Sequence, residues 1–387
     1  MSVPERDKKR KPRATSAAPK VSRTLAPAGM SLEEWQTQLR RQFGREQKFT
    51  FKNVGGARAF SDFLVTNPAS RRTYRVTVRG TALGDNTCSC PDFATNTLGT
   101  CKHIEFTLAK LERSRTAAPE LKAGYRPPHG EVFLRYGSQR RVCYRAPAED
   151  NRPLAKVAAK FFDPSGVLKP EAAPQFDEFL TAATEHDPEL RVGDEVLGFL
   201  AELRDAGERG AKVAAAFPDG VRSQALDGIL KVSLYDYQRE GVLFAARAGR
   251  CLIGDEMGLG KTAQAIAAAE VMARLYGVER VLVVCPTSLK HQWKNEVKRF
   301  TGRDVRVIEG LKPKRTEGFA DPAPFFKVTN YDTVHADLDA IAAWGPDLVI
   351  LDEAQRIKNW ATRAARSVKL IRSPYAVVLS NWSKVNW

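Results

Sequence analysis

Long apolar runs are missing from this chain of 387 residues: nowhere do about 18 uninterrupted apolar residues occur, so no transmembrane helix is expected. The first residues, MSVPERDKKRKPR, lack the apolar stretch of a secretory signal, and their basic run reads as a solvated tail. Cysteine is sparse, with six residues, which excludes a disulfide scaffold in a chain of this length. A reducing cytoplasm is the expected compartment, with nucleoid association if the source is bacterial. No internal repeat is visible. Acidic residues are the scarcer charge, 45 Asp and Glu against 61 Lys and Arg, for a net +16. Residues 1–23 hold eight basic and two acidic residues, so most of the surplus is spread over the rest. A balance this basic points to a polyanionic partner, with nucleic acid ahead of an acidic membrane surface. The alternative is a charge that serves solubility alone.

What is present is ordinary for a folded protein: 43% hydrophobic and 27% charged residues exclude wholesale disorder. The length predicts two or three domains. Residues 1–30, rich in Lys, Arg, Pro, Ala and Ser, read as a disordered basic tail. Ser31 offers an N-cap and Glu34 completes a capping box, with Leu32, Trp35, Leu39 and Phe43 on one helical face. The alternation from Thr73 to Val78 predicts a half-buried strand, and a helix is expected from His103 to Leu111. Residues 31–115 are taken as one small domain and residues 116–225 as a mixed, mainly helical connecting region. Within the latter, Glu131 to Arg145 reads as a hairpin turning near Gly137 and Ser138, and Val196 to Leu203 as helical. From 226 to 387, short apolar strands alternate with helices, which predicts a doubly wound parallel α/β sheet. The expected strands are 250–253, 281–285, 305–308, 325–329, 348–351 and 376–379, with helices notably at 262–275 and 289–300.

The strongest local signal is CLIGDEMGLGKTAQAIAAAE, starting at Cys251. An apolar strand ends at Ile253, a glycine-rich loop follows, and Lys261 and Thr262 open an Ala-rich helix. Gly258 and Gly260 can take backbone conformations closed to other residues, so loop N–H groups and the helix N-terminus can face phosphate oxygens. Lys261 can reach the β and γ phosphates, and the Thr262 hydroxyl can ligate magnesium. The strict phosphate-loop pattern wants Gly where Asp255 stands; a merely structural strand–helix turn is the competing reading. Some 90 residues on, an apolar strand delivers Asp352 and Glu353 to the C-terminal edge of the sheet, where ligands bind in such folds. Asp352 is placed to hold magnesium and Glu353 to activate an attacking water.

A second cluster is Cys88-Ser-Cys90, ten residues, then Cys101-Lys-His103. Three thiolates and one imidazole suit a closed tetrahedral structural zinc site. Zn2+ could supply much of the stability of a small domain with a thin core. The competing readings are buried cysteines beside a chance histidine, and a catalytic zinc, for which no general base accompanies an open position.

At these residues the chain resembles a known family, the Swi/Snf-type ATPases of helicase superfamily 2. The resemblance is carried by LYDYQREGV (234–242), GDEMGLGKT (254–262), VLVVCPTSLKHQWKNEVKRF (281–300), VTNYDTV (328–334) and LVILDEAQRIKN (348–359), in the family order. Asp255 in the loop is typical of that family. The resemblance implies a RecA-like lobe binding ATP and Mg2+. Gln238 would read the adenine edge, and Asp255, Glu256, Met257, Gly258, Leu259, Gly260, Lys261 and Thr262 would form the cradle. Thr262 and Asp352 would hold the metal, with Lys261, Asp352 and Glu353 catalytic. Thr287, Ser288, Thr329, Asn330 and Tyr331 would track the backbone of double-stranded DNA or another nucleic acid, although these hydroxyls could equally cap helices. The cysteine–histidine set resembles the SWIM zinc finger, which implies nucleic-acid or protein binding.

After Leu379 and Ser380 the family pattern Gly-Thr-Pro-Leu-Glu-Asn is expected, whereas residues 381–387 read NWSKVNW. We expect a frameshift or fragmentary gene in which a second RecA-like lobe is lost, which sequencing downstream of the locus would decide. The leading expectation is therefore the N-terminal part of an ATP-dependent DNA translocase or remodelling-type helicase. The alternative is a zinc-dependent module that binds nucleic acid or protein and keeps only ATP binding. A metabolic nucleotide enzyme is disfavoured because no small-substrate motif is present.

Overall fold

The computed structural model describes residues 20–381 except 257, 358, 360 and 361. Met257, the first 19 residues of the expected tail, Lys358 of the last motif and residues 382–387 therefore lie outside the described residues. Two compact units divide the chain, Met1–Leu200 and Ala201–Trp387.

In the first unit, residues 20–30 form no helix or strand and rest on α1 (Leu32–Glu46). Val21 N donates to Gln42 Oε1, the Trp35 indole donates to Ser22 O, and Arg23 pairs with Glu46. Ser31 and Glu34 form the expected capping box. The apolar stripe of α1 is not its buried face: Leu32 is 66% exposed, and the buried positions are Thr37 and Gly44. Gly44 explains this, because a Cβ there would stand 2.8 Å from both Glu105 Cβ and Lys102 O, so α1 packs at backbone distance on α3.

An antiparallel sheet follows in the order β1 (Thr50–Asn53), β2 (Asp62–Asn67), β3 (Arg72–Thr77) and β4 (Thr87–Cys88), then α2 (Pro91–Thr95), α3 (Lys102–Glu112) and α4 (Ala118–Ala123). Phe63, Val65 and Val76 pack with Ile104 and Phe106 and with the cysteines to form one core. The expected hairpin is β5 (Glu131–Arg135) and β6 (Arg141–Arg145), packed with α5 (Arg152–Phe161), α6 (Phe176–Thr184), β7 (Arg191–Val192) and the start of α7 (Asp194–Ala216). β7 pairs in parallel with β5, so this region carries a three-stranded sheet that sequence patterning did not reveal.

The second unit is built on a six-stranded sheet in which every pairing is parallel, in the order β10-β11-β9-β12-β13-β8. After α8 (Asp236–Ala248), β8 (Arg250–Ile253) leads through the glycine-rich loop into α9 (Lys261–Tyr276), and β9 (Val281–Cys285) leads into α10 (Lys290–Phe300). Then come β10 (Val305–Val307), α11 (Lys312–Ala320), β11 (Phe326–Asn330), α12 (Val334–Trp344), β12 (Leu348–Leu351), α13 (Arg363–Val368) and β13 (Tyr375–Leu379). β9 is buried along its whole length, as expected of a central strand covered on both faces. The alanines of α9 serve the same packing: Ala265, Ala267, Ala268 and Ala269 are fully buried, with Ile266 and Val271, in the main core. This is the parallel α/β lobe expected from the strand–helix alternation, of the RecA-like kind that the family resemblance implies, preceded by a small antiparallel sheet carrying the cysteine–histidine cluster. Among the described residues no helix is long and apolar enough to cross a membrane.

Candidate nucleotide site and metal centre

Because all six strands run parallel, their C-terminal ends open on one edge, and the segments leaving them stand side by side in sheet order. Asn330 and Tyr331 leave β11, Thr287 and Ser288 leave β9, Asp352 and Glu353 leave β12, Ser380 leaves β13, and the glycine-rich loop leaves β8. Residues up to 126 positions apart in sequence thus meet along one rim.

In the loop, Gly258 (φ 86°) and Gly260 (φ 71°) take left-handed backbone conformations, and Gly260 directly precedes α9. A Cβ on Gly260 would lie 2.5 Å from Gln238 Nε2, the end of a flexible side chain that could shift, so it is the positive φ that calls for glycine there. Lys261 curls into the loop, its Nζ donating to Asp255 O (2.8 Å) and Glu256 O (2.9 Å). An ammonium gathered by main-chain carbonyls, at a helix N-terminus, is a cation placed to exchange those partners for phosphate oxygens. Gln238 is buried beside it: Nε2 donates to Leu259 O, and Oε1 accepts from Tyr235 N. Asp255 is fixed from α9 by Gln264, whose Nε2 donates to Asp255 Oδ2 at 2.7 Å. Thr262 is half-buried in the first turn of α9, and Glu256 and Leu259 are exposed.

On the acidic side, Asp352 is 8% exposed, and each carboxylate oxygen accepts a hydrogen bond, Oδ1 from Glu353 N (2.9 Å) and Oδ2 from Trp293 Nε1 (2.8 Å). Burial pushes the Asp352 carboxyl up from its ordinary range, while the Trp293 hydrogen bond and the Lys261 charge pull it down. Glu353 has a left-handed backbone (φ 52°), shared among the described non-glycine residues only by Arg71 in the turn between β2 and β3. Its Oε2 accepts from Gln355, whose own Oε1 accepts from Ser380 Oγ at 3.0 Å. The acidic pair is thereby tied to the end of the neighbouring strand. Two oxygen donors, Asp352 and Thr262, suit a hard cation such as Mg2+.

The five residues expected to follow a nucleic-acid backbone separate by exposure. Thr287 and Ser288 are exposed, whereas Thr329, Asn330 and Tyr331 are buried. Thr329 Oγ1 lies 3.2 Å from Thr333 Oγ1, Asn330 Nδ2 donates to Thr287 Oγ1 (2.7 Å), and Tyr331 OH donates to Asp352 O (2.7 Å). The last three side chains work inside the lobe, bracing the rim.

In the first unit, Cys88, Cys90, Cys101 and His103 are all buried, and their ligand atoms lie within 4.8 Å of one another. Cys88 Sγ and Cys101 Sγ stand 3.8 and 3.9 Å from His103 Nδ1. A tetrahedral ion with bonds of about 2.3 Å to sulfur spaces its ligands by roughly 3.8 Å, close to the two distances to His103, so the donor set is of the kind that could hold zinc. Cys90 caps α2, accepting from Phe93 N at 3.4 Å, and Cys101 is the N-cap residue of α3. Hydrogen bonds with Cys88 and Cys90, together with burial, push the Cys101 thiol up from its ordinary range. Outside the cluster, burial pushes Cys251 up to about 11 and Cys285 up to about 12, as expected of inert thiols.

Sequence reading missed Trp293, Gln264 and Gln355. Each stands in a quoted motif or just beyond one. Trp293 had a usable signal, since an indole in an otherwise polar helical stretch needs an acceptor when buried.

Sheet order, loop and acidic pair define a P-loop lobe of the RecA type. The SNF2-related domain pattern matches residues 178–381, more than half of the chain, and the chain belongs to that family. It is 26% identical over 320 residues to the DNA repair and recombination protein RAD54-like of Gallus gallus, covering 70% of this chain and 43% of that protein. To the DNA annealing helicase and endonuclease ZRANB3 of Mus musculus it is 34% identical over 148 residues, 37% of this chain and 13% of that protein. A solved structure, the Sulfolobus solfataricus SWI2/SNF2 ATPase core in complex with dsDNA, aligns at 26% identity over 39% of this chain and 32% of its own, with a TM-score of 0.36. The chain spans less than half the length of each of these curated relatives.

Proposed function

We propose that the second unit is the first motor lobe of an ATP-dependent DNA translocase, which binds ATP and Mg2+ and, together with a second lobe, hydrolyses the nucleotide to drive movement along double-stranded DNA. The observation that carries this reading is the convergence of Lys261, Asp352 and Glu353 on one edge of the sheet. Lys261 leaves the Asp255 and Glu256 carbonyls for the β and γ phosphates, and the N–H groups opening α9 complete the cradle. Gln238 orients the adenine. Asp352 and Thr262 would hold the metal, which when bound would neutralise charge on the phosphate oxygens. Glu353, steered by Gln355, orients the attacking water and takes its proton.

DNA as the partner is supported by the +16 charge, by the exposed Thr287 and Ser288, and by family membership. The RAD54-like and ZRANB3 relatives carry DNA repair and DNA annealing in their names. We assign the cysteine–histidine cluster to one structural zinc in a SWIM-type finger spanning residues 31–115, a surface for nucleic acid or a protein partner. Contacts should be to phosphates rather than bases, so affinity should fall steeply with salt and tolerate scrambled duplexes.

ATP turnover measured with and without duplex DNA tests the reading. In this family the nucleotide is closed in by a second lobe bearing an arginine, and such a cation is worth ~10³–10⁵ in rate in other phosphoryl-transfer systems. DNA-stimulated hydrolysis is expected when such a lobe is joined in cis or added in trans to residues 1–387, and K261A and E353Q should abolish it. DNA-stimulated turnover that survives K261A would overturn it.

A further inference from the structure

We propose that Trp293 is a positioning residue for the magnesium-binding carboxylate of Asp352, with Tyr331 holding the same residue through its main chain; the proposal rests on the ATP–Mg2+ reading above. Trp293 lies on α10 and is 1% exposed, and its one polar atom, Nε1, donates to Asp352 Oδ2 at 2.8 Å. Glu353 N donates to the other oxygen, Oδ1, at 2.9 Å. With a donor fixed on each oxygen, the plane of the carboxylate is set before any ligand arrives. The main chain of Asp352 is held as firmly: its N–H donates to Val284 O at 2.9 Å, and Tyr331 OH donates to its carbonyl at 2.7 Å. Four hydrogen bonds from β9, α10, the residue after β11 and the neighbouring Glu353 thus converge on one aspartate at the end of β12.

Such an arrangement exceeds what folding requires. A buried indole needs one acceptor, and any main-chain carbonyl would serve. Here the acceptor is the carboxylate that the metal would use, and each oxygen keeps a lone pair for it. Donors behind a metal ligand set its orientation, and their removal costs about 10- to 100-fold in metal affinity.

The test compares wild type with W293F, which keeps an aromatic ring and deletes the N–H, and with Y331F, which deletes only the hydroxyl. Calorimetric titration of ATP into the full chain at a series of Mg2+ concentrations gives the half-saturating Mg2+. We expect it to rise about 10- to 100-fold in W293F and several-fold in Y331F, with metal-free ATP affinity unchanged. In 15N-Trp-labelled wild type, the Trp293 indole resonance should move on addition of Mg2+ and ATP and also in D352N, a response that a purely space-filling indole would not give. Unchanged half-saturation in a folded W293F, beside a Mg2+-dependent wild type, overturns this proposal alone. If W293F does not fold, Y331F decides by the same criterion. A wild type whose ATP binding ignores Mg2+ overturns the parent reading and this proposal together.

Discussion

Lys327 shows what a single residue can cost and contribute. It is fully buried on β11, where its Nζ donates to Phe319 O and Asp321 O at 2.6 Å each and stands 4.3 Å from the centre of the Trp344 ring. Burial pulls its ammonium down to about 8, against the charge of Asp321. The folded chain thus releases this proton near pH 8, whereas the unfolded chain keeps it to about 10.4. Between those values the unfolded state binds the extra proton, so stability from this group rises with pH and is flat below about 8. Denaturant melts across pH 7 to 11 should show wild type gaining on K327M by up to about 3 kcal/mol over that window. A constant difference would contradict the shift. Nothing in the sequence marks Lys327, because a lysine in an apolar strand pattern reads as solvent-facing. Lys261, Asp352 and Glu353 stand out in the sequence for the opposite reason: their spacing to glycines and to apolar strand ends is local. Trp293 and Asp352 are 59 positions apart, and their contact exists only through the sheet.

Elements divide along the same line. β8, β9 and β12 were legible to the residue because each is a short apolar run bounded by turn or charged residues. The stripe on α1 misled, since close backbone packing at Gly44 outweighs burial of Leu32 and Phe43. The cysteine–histidine cluster was legible as a ligand set, and the turns that assemble it, β4 into α2 and the N-cap of α3, are short. Its three cysteines belong to the core of this region, with Phe63, Val76, Ile104 and Phe106 among the buried side chains, so an ion there would tie the sheet to α3. Metal analysis should therefore find one zinc per chain, dropping in C101S and H103A. Chelation should unfold the first unit's β1–β4 region, read by proteolysis, while the parallel sheet persists. Zinc content unchanged from wild type in both variants would contradict the assignment.

At the scale of the molecule, the sequence pattern predicts strands and helices but not the order β10-β11-β9-β12-β13-β8. That order is set by which faces pack, through contacts among residues far apart in the chain. It is also what makes the site, because it places the ends of β8 and β12 on one rim with only β13 between them. The central claim is that this rim is an ATP–Mg2+ site. Calorimetric titration of ATP into the 387-residue chain, with and without Mg2+, tests it most directly. We predict Mg2+-dependent binding that weakens at least about ten-fold, or 1.4 kcal/mol, in K261A while the fold is kept. Binding that is equally tight in folded K261A would contradict the account.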